Sequence, residues 1–131
     1  RRTHLDGRCQ AGNHLNQNLP PGLRSAGFRN PHHTWWLFPV SVENQLALVD
    51  ELRDAGFDAT ASSTQLCALT GKDGPAPECA SFMDGAVYLP VHAKMPHATL
   101  DRMAEIIRNH GVTHEPASVE ETELTPVPLG K

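Results

Sequence analysis

Two stretches of the chain repeat their apolar residues at helical spacing. Leu48, Val49, Leu52 and Ala55 fall in one arc of a helical wheel, with Asp50, Arg53 and Asp54 outside it. Leu100, Met103, Ala104 and Ile107 follow the i, i+3, i+4, i+7 pattern. Each predicts an amphipathic helix with one buried stripe. Ser41 stands where the first helix needs an N-cap, and Glu43 suits its first turn because a carboxylate there meets the positive end of the helix dipole. Gly56 followed by Phe57 predicts a left-handed stop in which Phe57 reaches back to Leu52; Gly111 followed by Val112 predicts the same stop against Ile107. Pro96 fits the start of the second helix, where a missing N–H costs nothing.

The segment TWWLFPV (34–40) puts large apolar groups on both faces of an extended chain, as in a strand covered on two sides. Pro39 removes one ladder donor, which places that strand at an edge or ends it there. Further strands are expected at about Phe57 to Ala61 and Ala86 to Pro90. A long polar loop from Ser62 to Pro77 and a short helical piece near Glu78 to Asp84 lie between them. Residues 1–33 read as a short, poorly defined entry helix followed by a loop: Leu5, Cys9 and either Leu15 or Leu19 give it a weak stripe, Gly7 and Gly12 weaken it, and Pro20-Pro21-Gly22 ends it. After Gly111 the apolar period is lost, and residues 112–131 read as an acidic, proline-containing tail or linker. The division is therefore 1–33, 34–111 and 112–131. The fold class is α+β, a two-layer sandwich in which helices pack on one face of a small, mainly antiparallel sheet.

Composition fits one domain. A chain of 131 residues, 39% apolar and 20% charged, has the make-up of an ordinary globular protein with a single core. A formal charge of −4 provides no basic footprint for nucleic acid. No apolar run approaches the roughly 20 residues that span a bilayer, and the first ten residues lack the apolar stretch of a signal peptide, so a cytoplasmic setting is expected. Cys9, Cys67 and Cys79 form no C-x-x-C pair, and an odd number argues against a disulfide framework. The first residue is Arg1, not Met, which suggests an excised piece of a longer protein.

Candidate chemistry is sparse. Among eight histidines, His32 and His33 are neighbours that point to opposite faces of a strand, and His92 and His97 have no carboxylate or cysteine at ligand spacing, so no metal site is expected. Gly71-Lys72 is no phosphate loop, because Leu66 stands where the first glycine belongs and Asp73 follows the lysine. Ser62, Ser63, Thr64 and Gln65 form a polar group just past a predicted strand. They have two readings, a locally capped turn or one wall of a substrate pocket. For Trp35 and Trp36, one ring is expected against the helices and the other at an interface with a larger domain or a sister subunit; burial of both within the domain is the alternative.

Three segments in this order, TWWLFPV (34–40), LRDAGFDAT (52–60) and VYLPVHAKMP (87–96), resemble the small C-terminal domain of fold-type I pyridoxal-phosphate aminotransferases, in particular the DegT-type, or sugar-nucleotide, branch. The likeness runs from about Gly22 to Gly111. It implies a long helix leading into the first strand and a large N-terminal domain that holds pyridoxal phosphate on a Schiff-base lysine. It also implies a homodimer with active sites at the subunit interface, and transfer of an amino group to a keto sugar nucleotide. On this resemblance the chain walls the active site and supports dimerisation, with no catalytic residue of its own. Lys72, Lys94 and Lys131 match no position of the family's lysine, so this chain alone is expected to bind no cofactor. Many sugar aminotransferases carry an aromatic, proline-rich segment ending in Pro-Leu-His after the second strand, where this chain has TASSTQLCAL. The competing class is a non-catalytic small-molecule-binding or dimerisation module, since the fold does not choose between the two.

Overall fold

The computed structural model describes residues 2–25, 27–61 and 66–113. Within them the order is α1 (Arg2–Asn18), β1 (Pro39–Ser41), α2 (Gln45–Asp54), β2 (Thr70–Gly71), β3 (Gly74–Pro75), α3 (Pro77–Gly85), β4 (Ala86–Tyr88) and α4 (His97–Thr113), with a 3₁₀ turn at Pro21–Leu23. The architecture is α+β. β1 and β4 pair antiparallel, Pro39 opposite Tyr88, Val40 opposite Val87 and Ser41 opposite Ala86. On the other edge of β4, Thr60 and Tyr88 exchange two backbone hydrogen bonds of 3.2 and 2.8 Å.

Helix α2 packs on β4 and α4, while α4 also packs along α1. Leu48 and Leu52 of α2, Leu100, Met103 and Ile107 of α4, and Val40 and Val87 of the sheet are fully buried in one cluster. Ala11, Leu15 and Leu19 join that cluster from the first segment. The predicted stop of α2 is present. Gly56 has φ of +91°, its N–H donates to Arg53 O (2.9 Å), and the Phe57 N–H donates to Leu52 O (2.9 Å), the bond pair of a Schellman motif.

Elsewhere the backbone departs from the sequence reading for identifiable reasons. α1 is 17 residues long despite two glycines. Gly12 is required there, because a Cβ at that position would overlap the Trp35 indole. Residues 34–38 are not a strand. Thr34 and Trp35 turn to α1 and to local partners: Arg8 Nε donates to Thr34 O (2.9 Å), the Trp35 indole N–H donates to Asn13 Oδ1 (2.8 Å) and the Trp35 backbone N–H donates to His33 Nδ1 (3.0 Å), while Phe38 O accepts from the Leu89 N–H (2.9 Å). Trp35 itself turns to φ of +51°, which breaks an extended run. Pro39 consequently opens β1 and does not end it, and β1 lies at the edge of the sheet as its proline requires, a position where a missing N–H is tolerated.

Ser41 is the last residue of β1, and Asn44 caps α2 by accepting a hydrogen bond from the Ala47 N–H at 3.3 Å. The strand expected at 57–61 shrinks to the Thr60 bridge, since the Ala59 N–H is used locally on Phe57 O (2.9 Å). The loop before α3 contains a small hairpin, with Thr70 opposite Pro75 and Gly71 opposite Gly74. Gly111 does not stop α4, which continues to Thr113. An added Cβ at Gly111 would meet the flexible tip of Leu23, Cδ1 at 2.8 Å. The expected tail at 112–131 lies outside the described residues from position 114 onward.

Candidate functional site

The short strand β4 fixes the floor of the candidate site. The Tyr88 backbone is held by β1 on one side and Thr60 on the other, and every residue of β4 is buried. A cleft of about 260 Å³ opens beside it, between the first residue of α2, Gln45, and the last turn of α3, which supplies Met83 and Asp84. Ala61, Leu66 and Cys67 also line it. Gln45 Oε1 is buried without a hydrogen-bond partner among the described residues. Asp84 is exposed at the rim, and as a carboxylate it only accepts.

Ser62, Ser63, Thr64 and Gln65, the expected pocket wall, lie outside the described residues. Ala61 and Leu66, which bracket them in the chain, both line the cleft. Lys72 is exposed in the β2–β3 turn and Lys94 is exposed ahead of α4. Neither lines the cleft.

The two tryptophans separate. Trp35 is 1% exposed, stacked between His33 (3.9 Å between centroids) and Phe38 (4.8 Å). Trp36 is 77% exposed, with the Arg8 guanidinium 5.3 Å from its ring centre, and Leu37 beside it in sequence is also exposed. Trp35 belongs to this chain's own core.

The histidines do not converge as a ligand set. His92 Nδ1 accepts from the Lys94 N–H (3.2 Å), while His97 stacks on His14 (4.0 Å) and His14 Nε2 bonds Asp101 Oδ1 (2.6 Å). Among the described residues no group of three or more histidine, cysteine or acidic side chains is placed to hold a metal ion. Nor is any helix among them long and apolar enough to cross a membrane. Sequence reasoning missed Gln45 and Asp84. Their only local signals are the positions of two polar residues at predicted helix ends, and the cleft arises from tertiary packing.

No family model matches this sequence and no curated protein matches it. Solved structures do. A DegT DnrJ EryC1 StrS aminotransferase from Brucella abortus is 19% identical with a TM-score of 0.64, over 82% of this chain and 31% of that one. The aminotransferase TlmJ from Streptoalloteichus hindustanus is 18% identical with a TM-score of 0.65, over 84% and 32%. Helicobacter pylori PseC, an aminotransferase involved in the biosynthesis of pseudoaminic acid, is 14% identical with a TM-score of 0.63, over 83% and 33%. This chain thus spans about a third of the length of each. What it shares with these aminotransferases is the fold, over about a third of each of those chains.

Proposed function

We propose that this chain is the small C-terminal domain of an aminotransferase-like protein. Its role is to wall an active site whose chemical groups lie in a larger N-terminal domain, and to support a homodimer. The observation that carries this reading is the fold likeness over more than four-fifths of the chain to one third of each of three aminotransferases. Pyridoxal phosphate, a keto sugar nucleotide as amino acceptor and a cytoplasmic location belong to the whole protein on this reading. The described lysines do not suit the cofactor, being exposed and away from the cleft, so its lysine is assigned to the larger domain. Ser62, Ser63, Thr64 and Gln65 are assigned to the substrate wall, supported by the position of Ala61 and Leu66 on the cleft. Trp36 is assigned to the surface that the larger domain or the sister subunit covers, because an indole this exposed gains from burial.

The test is the coding sequence upstream of Arg1 and the protein it specifies. We expect a large α/β domain with a cofactor lysine, and a joined protein that takes up pyridoxal phosphate with visible absorption while the 131-residue chain alone takes up none. A different catalytic domain upstream, or a start codon at this point, would sink the reading. A second reading, a small-molecule-binding module, is favoured by one observation: the cleft beside Tyr88 is formed by residues of this chain itself.

A further inference from the structure

We propose that Cys67 and Cys79 form a reversible disulfide across the base of the β2–β3 hairpin, made and broken by exchange with a small-molecule disulfide. The pairing depends on the hairpin and α3 alone and holds under either reading above.

Two independent constraints bring these thiols together. The first is the hairpin. Thr70 and Pro75 are paired, so the two arms of chain that lead away from them start side by side. Cys67 lies three residues out along one arm and Cys79 four residues out along the other. Three residues reach at most about 11 Å. On the second arm Ala76 is extended and α3 begins at Pro77, so its four residues, half extended and half helical, cover about 10 Å. The two cysteines therefore lie level with each other. The second constraint is the helix face. Cys67 and Met83 line the same cleft. Cys79 stands one turn before Met83 on α3, which puts their side chains on one face with Cβ atoms about 5–6 Å apart. The face of α3 that meets the Cys67 arm is thus the face that carries Cys79.

Both thiols are exposed, so a dissolved reagent reaches them. Cys67 lies outside every helix and strand, and any approach that the bond geometry demands falls on a loop residue. Cys9 is engaged elsewhere: it sits half-buried in α1, and its thiol donates to His33 O at 3.6 Å. The electron balance is that of two exchanges. One deprotonated cysteine sulfur attacks a sulfur of the reagent RSSR, the reagent's S–S bond breaks, and one thiol RSH leaves. The second cysteine loses its proton, attacks the resulting mixed disulfide and releases the second RSH. Two cysteine thiols are oxidised while one RSSR is reduced to two RSH. An odd number of cysteines argues against a permanent disulfide framework, and this bond is a reversible one. Closing it ties a residue of the cleft wall to α3, which couples the shape of the cleft to the redox state of the pair.

The experiment equilibrates the full 131-residue chain with mixtures of oxidised and reduced glutathione, with and without denaturant, then blocks the free thiols and maps the products by mass spectrometry. In the folded chain a loss of about 2 Da is expected, with Cys67 joined to Cys79 and Cys9 recovered as the blocked thiol. Residues this near in sequence also meet in an unfolded chain, so the decisive quantity is a ratio. The effective concentration of one thiol for the other should be at least about tenfold higher in the folded chain than in denaturant. Cys9→Ser should leave the bond unchanged, and closing the bond should shift the Met83 and Tyr88 resonances, which border the cleft. A folded chain that stays reduced, retains glutathione on Cys67 or Cys79, joins either to Cys9, or links to a second chain would overturn the proposal. Equal effective concentrations in the two states would overturn it as well, because the fold would then contribute nothing to the pairing. All of these are read on the unsubstituted chain, so they stand even if a variant fails to fold. None depends on what is encoded upstream.

Discussion

Gly12, Gly56 and Gly111 are the same residue type under three different physical demands, and alanine separates them. At Gly56 nothing lies within 4 Å of an added Cβ, so the whole cost of Gly56→Ala is the positive φ. A loss of about 1 kcal/mol is expected in chemical denaturation. At Gly12 the backbone is ordinary helix but the Trp35 indole occupies the space, and that ring is held by Asn13, His33 and Phe38. Gly12→Ala should therefore cost more, about 1–3 kcal/mol as an overpacked core does, in spite of alanine's better helix propensity. Equal melting of the two variants would contradict this account. Only the Gly56 demand was legible in the sequence, because a left-handed stop is written locally in Gly-Phe after an apolar stripe. The Gly12 demand is set by Trp35, which is 23 positions away in the chain and announces itself in no local pattern.

Elements were readable where their ends are satisfied by near neighbours. α2 with its stop, α3 after Pro77, and β4 agree with the reading of the sequence, because the α2 stripe and its Gly56 stop and the Pro77 start of α3 are local, although the α2 cap is Asn44 and not Ser41. The first strand was misplaced because Thr34 and Trp35 are tied to α1, a choice that depends on tertiary contact. The cleft was illegible for a similar reason: it exists only once the start of α2 and the end of α3 flank β4. Gly111 gives an element-scale test. Since α4 runs through it and the obstacle to a Cβ is the flexible tip of Leu23, Gly111→Ala should be neutral or stabilise by up to about 1 kcal/mol. A clear loss in melting temperature would restore the helix stop.

At the scale of the whole molecule, the adjacent tryptophans allow surface and core to be observed separately. Acrylamide should quench Trp36 readily in the isolated chain and leave Trp35 nearly untouched, so Trp36→Phe should abolish most of the quenching and Trp35→Phe little of it. Two equally shielded rings would mean that the Trp36 surface is already covered, for instance by a second copy of the chain.

The α1 to α4 contact also has a kinetic meaning. His14 bonds Asp101 across 87 positions, and Arg108 donates to Asn18 O across 90, so this pair of helices closes the longest loop among these contacts. Loop closure on that scale is expensive before the rest of the core rewards it. The segment from α2 to α4 can assemble first, and the docking of α1 then becomes a late step in folding and the first to reverse. Native-state hydrogen exchange should find the amides of α1 opening together at lower free energy than those of α2 and β4. Because the Trp35 ring rests on Gly12, each such opening uncovers that indole, which makes a single side chain the natural reporter of how often the molecule partly unfolds.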